Sequence, residues 1–207
     1  MRLIRLMSYP VLGLVLLFAG VIGIIRAQPY DDQTIRAILL PSDCKEPCFM
    51  GIHPGLTQSR EAYNLLENNP WVGKFSSYIA SGCCSIALTW QWNGKQPTNL
   101  DNGDNTVYFR FDPNTGSQTV QNIAIHTRIS TGYAVLILGA WAKGNSGALQ
   151  GLDKAFVEMV YPQHSLHVST TMPCPLTRWQ LWEAPMTLQF SSESWGLSGM
   201  KDMSEVC

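Results

Sequence analysis

The sequence predicts an α+β fold, with an N-terminal transmembrane helix followed by helices packed on an antiparallel sheet. Three observations lead to this prediction: an uncharged apolar segment at Leu6–Ile25, a helical pattern near residues 58–68, and alternating strand patterns from Ile86 onward. A meander of strands that follows a helix is typical of a sheet with helices on one face. Apolar residues make up 45% of the 207 residues, which favours a packed core.

The N-terminal segment predicts the location of the protein. Twenty helical residues span about 30 Å, the thickness of the apolar part of a bilayer. Arg2 and Arg5 precede Leu6–Ile25, so the positive-inside rule puts the N-terminus in the cytoplasm. We therefore expect a single-pass cell-membrane protein with residues 1–27 as its signal anchor. A cleaved signal peptide is the alternative, although Ile25-Arg26-Ala27 is a poor cleavage site.

The remaining chain divides into three predicted parts. Residues 28–39 form a polar spacer, residues 40–190 an extracytoplasmic α+β domain, and residues 191–207 a loosely ordered tail without periodicity. The net charge is −1 and no block of Lys and Arg interrupts the chain, so nucleic acid is not an expected partner.

The helix predicted at residues 58–68 begins after Thr57, which is a good N-cap residue. Ala62, Leu65 and Leu66 recur at helical spacing, and Pro70 follows the end of the pattern. The helix is therefore amphipathic and must bury one face.

Gly55-Leu56-Thr57, followed by Ala62, Leu65-Leu66 and Pro70, resembles the opening of small extracytoplasmic α+β domains. These are the outer-membrane assembly lipoproteins of the BamE type and the β-lactamase inhibitor proteins. The longer segment Cys48–Thr57, CFMGIHPGLT, is similar to uncharacterised membrane-anchored extracytoplasmic proteins of bacteria with a C-x3-C-[FW]-x-G-I-x-P-G-x-T segment. The resemblance implies a helix-plus-sheet unit and no assigned activity.

Period-two alternation predicts most of the strands. In chain order the predicted strands are Ile86–Trp92, Val107–Phe111, Val120–Ile129, Ala155–Tyr161, Ser165–Thr170, Trp179–Trp182 and Met186–Phe190. The segment from Thr131 to Gly139 reads as a buried strand or a short helix, and we favour the helix. Strands follow this second helix as they follow the first. The chain is therefore also compatible with two tandem helix-plus-meander units.

The six cysteines are the candidates for disulfide bonds: Cys44, Cys48, Cys83, Cys84, Cys174 and Cys207. An even number of cysteines in an exported domain predicts a disulfide framework, but six cysteines allow 15 pairings. A local bridge between Cys44 and Cys48 is one option. A bridge between the adjacent Cys83 and Cys84 would be strained, so each of these is expected to pair elsewhere.

Cys44, Cys48 and His53, with Met50 nearby, also suggest a copper or thiol-redox site, because thiolate and imidazole ligands suit copper. The spacing and the position before the strands differ from the copper-binding families that share parts of this pattern. Free thiols are the third alternative. We expect a structural disulfide here, and neither a metal nor another cofactor.

The remaining histidines, serines and acidic residues do not indicate a catalytic site. His164 and His167 lie at a predicted hairpin, and their spacing of three residues on a strand puts the rings on opposite faces, so a shared metal would need the loop to bend. His126 is expected on the surface of a strand. Gly144-Asn145-Ser146-Gly147 is only faintly similar to a serine-protease nucleophile loop and is interpreted as a glycine-rich turn. The acidic residues examined as pairs, with no shared cleft apparent, are Asp153, Glu183 and Glu193.

The seven tryptophans carry the hypothesis of a binding surface. Trp90, Trp92 and those in Trp179–Trp182 fall in predicted strands, where core packing is expected. Trp71, Trp141 and Trp195 fall near the ends of elements and are the candidates for an exposed patch. We therefore expect a non-catalytic protein-binding or scaffolding domain with an unknown protein partner. The alternatives are the thiol or copper site at Cys44 and Cys48 and a hydrolase whose site the sequence does not reveal.

Overall fold

The computed structural model describes residues 13–23, 32–41, 48–80, 85–149 and 152–191. The chain divides into two compact units, Met1–Gln33 and Thr34–Cys207. In the first unit, residues 13–23 are helical and exposed. Within the part of the chain that the structure describes, no helix has both the length and the apolar character needed to cross a bilayer.

This finding corrects the predicted fold class and location. The transmembrane helix at Leu6–Ile25 is wrong, and so are the signal anchor and the single-pass membrane localisation that depended on it. The lack of charged residues in this segment shows that it is apolar, but it does not by itself show that the segment spans a membrane. The described part of this segment, residues 13–23, is a helix, and it contains no span of the length and apolar character that a bilayer requires.

The second unit is built on one antiparallel sheet of eight strands. The strands are β1 (Val72–Ala80), β2 (Ser85–Trp92), β3 (Asn105–Phe111), β4 (Gln118–Ser130), β5 (Lys143–Ala148), β6 (Lys154–Tyr161), β7 (Leu166–Pro173) and β8 (Pro185–Ser191). Their order across the sheet is β1-β2-β3-β4-β8-β7-β6-β5, so each half is a meander and the last strand closes the centre.

Four α-helices accompany the sheet among the described residues of this unit. They are α1 (Gln33–Leu39), α2 (Ser59–Glu67), α3 (Thr131–Leu138) and α4 (Arg178–Glu183), with a 3-10 turn at Pro162–His164. Helix α2 precedes the β1–β4 meander and contacts β4, whereas α3 precedes the second half and contacts β4 and β7. Helix α1 falls within the predicted spacer, and its Ile38 and Leu39 are buried in the main core.

The core is deepest where β4, β8 and β7 lie side by side. Ile125 is opposite Leu188, which is opposite Val168 on its other side, and all three are fully buried. Each of these side chains comes from a strand that alternates buried and less buried positions, as a sheet with one face on the core requires.

Thr57 has a different role from the predicted one. The N-cap of α2 is Gln58, which makes no side-chain cap hydrogen bond. The Thr57 hydroxyl accepts a hydrogen bond from the His53 backbone N–H at 2.8 Å, and the Thr57 carbonyl accepts the Val120 N–H at 2.9 Å. Thr57 therefore fastens the segment before α2 to the start of β4.

The predicted strand at Trp179–Trp182 is wrong, because these residues lie in α4. A capping box explains the helix: the Thr177 hydroxyl accepts the Gln180 N–H at 3.2 Å, and the Gln180 side-chain oxygen accepts the Thr177 N–H at 3.0 Å. The predicted glycine-rich turn at residues 144–147 is also wrong, since it lies within strand β5.

Tyr161 generates a prediction about alkaline stability. Its side chain is fully buried, and its hydroxyl has no hydrogen-bond partner among the described residues. Burial raises the pKa of Tyr161 from 10.0 to about 12. The unfolded chain therefore releases this proton at lower pH than the folded chain, so the free energy of unfolding falls as pH rises from 10 towards 12.

Tyr161→Phe should remove this contribution to the pH dependence, and at pH 7 it should leave the free energy of unfolding equal or higher, because an unpaired buried hydroxyl is lost. Urea unfolding at several alkaline pH values measures both effects. Tyr63→Phe, which removes an exposed hydroxyl, is the control. Equal alkaline slopes for wild type and Tyr161→Phe would contradict the prediction.

Candidate functional site

An apolar pocket in the described part of the chain lies between α3 and α4 and has a volume of about 420 Å³. We call it the tryptophan pocket. The residues that line it are Thr131, Gly132, Val135, Trp141, Arg178, Leu181 and Trp182. Its size and its mainly apolar lining with a few polar groups are typical of binding pockets.

The two helices are held together at the end of the pocket. The backbone N–H and the hydroxyl of Thr131 both donate to the Ala184 carbonyl, at 2.9 and 3.0 Å. Thr131 is the first residue of α3, and Ala184 is the C-cap of α4. Leu181 lies beneath, in a small core cluster with Val157 and Met172. The pocket walls are therefore tied to the sheet by buried contacts.

Gly132 allows the Trp182 indole to lie directly against α3. A Cβ atom built on Gly132 would be 2.5 Å from Cε2 of Trp182 and 2.7 Å from its Nε1. These distances are shorter than close-packed atoms allow, so any side chain at position 132 must displace the indole. This contact sets the position of one wall of the pocket.

Both helices also carry large apolar side chains that are exposed. Trp182 is 42% exposed, Trp179 68% and Leu136 65%. Exposed apolar residues on the helices that form an apolar pocket are a signature of interaction sites, whereas single scattered ones are ordinary.

Arg178 is the one charged residue that lines the pocket. It is exposed, and its side chain makes no hydrogen bond or ion pair with any residue that the structure describes. The guanidinium group therefore has its donors available to a ligand that occupies the pocket.

Of the three candidates for an exposed patch, the structure describes Trp71 and Trp141, and these two do not line the same pocket. Trp141 lines the tryptophan pocket. Trp71 is half-buried, packs against the main core and does not line this pocket. Trp195 lies outside the described residues. The prediction missed Gly132, Arg178 and Trp182, and the capping-box pattern Thr177-x-x-Gln180 was the local signal that could have placed Trp182 on a helix.

The structure describes two of the six cysteines, Cys48 and Cys174, and these are not within disulfide distance of each other. Among the described residues, no two cysteines are bridged to each other, so the structure shows no pairing of the predicted framework. Each of the two is itself disulfide-bonded. The other four, Cys44, Cys83, Cys84 and Cys207, lie outside the described residues, so their pairings stay untested.

The alternative copper or redox site is only partly described. Cys48 is fully buried and, as a disulfide sulfur, offers no thiolate for a metal. Cys44 is outside the described residues. No group of three or more His, Cys, Asp and Glu side chains in the described ranges is arranged to hold a metal ion.

The other histidines occupy separate positions. His126 Nδ1 is 3.0 Å from the Thr187 hydroxyl on an exposed part of the sheet. His167 is buried, with Nδ1 3.6 Å from a Glu158 carboxylate oxygen, and His164 is in the 3-10 turn. The described acidic candidates, Asp153 and Glu183, do not line the tryptophan pocket.

A second cavity of about 610 Å³ is an open groove beside α2. It is lined mostly by polar side chains, among them Gln58, Asn64 and Asn68. Such side chains remain hydrated without a ligand, so the groove makes a weaker candidate than the tryptophan pocket. Comparison of the chain with protein-family models, curated proteins and solved structures gave no match.

Gly132→Ala tests the geometry of the pocket. In an ordinary helix this change raises the free energy of unfolding by about 0.5–1 kcal/mol. Here the added methyl group meets the Trp182 indole, and overpacking of this kind costs about 1–3 kcal/mol. We expect a net loss of stability, measured by urea unfolding.

The control is the same substitution in a Trp182→Ala background, where the indole is gone and the usual stabilising effect should return. This double-mutant cycle isolates the contact between positions 132 and 182. Equal effects of Gly132→Ala in the two backgrounds would show that the indole does not lie against Gly132.

Proposed function

We propose that the protein is a non-catalytic protein-binding domain and that the tryptophan pocket receives an apolar side chain of its partner. The observation that carries this proposal is an apolar pocket with a partly exposed indole, Trp182, at its wall and two further exposed apolar residues, Leu136 and Trp179, on the same helices.

The energetics of interfaces support this function. Binding energy is concentrated in a few residues, in which Trp and Arg are enriched, around a well-packed pocket. The tryptophan pocket contains Trp141, Trp182 and Arg178. A side chain inserted there would be removed from water on most sides, which contributes roughly 25 cal/mol per Å² of apolar area buried.

The rigidity of the pocket also supports a binding role. Its two helices are joined by the Thr131–Ala184 hydrogen bonds, and α4 begins with a capping box. A pocket already held in shape requires little ordering when it binds, so less of the interaction energy is lost to entropy.

Selection of peptides from a random library on the immobilised full-length protein tests the proposal. We expect recovered peptides to share a large apolar residue and to lose about tenfold or more in affinity for Trp182→Ala, which corresponds to about 1.4 kcal/mol. Isothermal titration calorimetry measures the affinity.

Tyr63→Ala is the matched control, because Tyr63 is an aromatic residue on α2 with 41% exposure, close to the 42% of Trp182. Its removal should leave peptide affinity unchanged, and circular dichroism should show that both variants are folded. A selection that recovers no peptide, or peptides that bind Trp182→Ala as tightly as wild type, would refute the proposed function.

A further inference from the structure

We infer that the partner segment bound in the tryptophan pocket carries a carboxylate next to its apolar anchor, and that Arg178 pairs with this carboxylate. This inference rests on the proposed function and specifies the chemistry of the partner. Its basis is charge complementarity: the lining has six uncharged residues and one cation, Arg178.

The position of Arg178 makes an anion the matching group. Its guanidinium has no partner among the described residues, and it lies at the rim of a pocket that an apolar group would fill. Inserting an apolar group without an anion would remove water from part of the guanidinium without replacing those hydrogen bonds, which is unfavourable. A carboxylate replaces them and can do so with two parallel hydrogen bonds.

The residues beyond the pocket favour a peptide over a small aromatic acid. Trp179 is one turn before Trp182 on α4, and Leu136 is one turn after Gly132 on α3, so helical spacing makes each a neighbour of a lining residue. Both are exposed by about two thirds. A small molecule confined to about 420 Å³ would leave these two side chains in water. A peptide that continues past its anchor would cover them, with a favourable hydrophobic contribution.

The test compares three forms of each peptide recovered with the full-length protein: one with a free carboxyl terminus, one with a C-terminal amide, and one with every Asp and Glu changed to Asn and Gln. We expect one of the two neutralised forms to bind about five- to tenfold more weakly than the acidic form. Weaker binding of the amide form would place the carboxylate at the chain terminus. Weaker binding of the Asn and Gln form would place it on a side chain.

Arg178→Gln should weaken the acidic form by the same factor and leave the neutralised form unchanged, because each change removes the same pair. Arg178→Lys should restore part of the affinity, since it keeps the charge but not the two-pronged geometry. Affinity of the acidic form for the wild type should also fall as sodium chloride is raised, and it should fall less for Arg178→Gln.

Different results would refute the carboxylate partner of Arg178 and the binding role of the tryptophan pocket. If Trp182→Ala abolishes binding but Arg178→Gln weakens acidic and neutral peptides equally, the carboxylate inference is refuted and the proposed function stands. N-acetylphenylalanine binding as tightly as the peptides would refute a peptide ligand. Dimerisation of the chain that depends on Trp182, seen by light scattering, would instead identify a second copy as the occupant.

Discussion

The pairing of β4 with β8 is the interaction on which the rest of the structure depends. The sheet order places these two strands at the centre, and their ladder is the connection between the β1–β4 meander and the strands β5–β7. Strand β8 is the last described element, and it lies between β4 and β7. Fully buried Ile123, Ile125 and Leu188 fix the register, since a slip by one residue would turn them out of the core.

The tryptophan pocket is a direct result of this pairing. Helix α3 begins where β4 ends, and α4 ends where β8 begins, and Ser130 and Pro185 are paired at that point. The first residue of α3 therefore lies beside the C-terminal end of α4, and the Thr131–Ala184 hydrogen bonds join the two helices there. The residues of the pocket are about fifty positions apart in the sequence but are adjacent because two central strands are.

Sequence patterns predicted the elements that have a regular buried face. Helix α2, predicted at residues 58–68, is Ser59–Glu67, and the patterns at β2, β3 and β4 lie in the observed strands. Strands β1 and β5 were missed because they lie at the two edges of the sheet. Their sequences, VGKFSSYIA and KGNSGA, lack strict alternation, and pairing with a neighbour determines their conformation.

The site was much less predictable than the strands. RWQLWE in α4 is six residues long, too short to show a helical period, and its Trp179 and Leu181 alternate as in a strand. Only Trp141 was both predicted as a surface candidate and found in the pocket. The role of Gly132 depends on its contact with Trp182 of α4, which is distant in the sequence, so no local sequence pattern predicts it. The apolar segment near the N-terminus shows the converse error, because its composition was interpreted as a membrane span, and no described helix is long and apolar enough to be one.

The contact between Gly132 and the Trp182 indole has a consequence for how this surface can change over generations. A mutation that enlarges position 132 meets the ring, whereas a mutation that first shrinks position 182 frees the space. A larger residue at position 132 is therefore easier to accommodate after position 182 has become smaller. As long as the indole is kept, enlarging position 132 carries this steric cost.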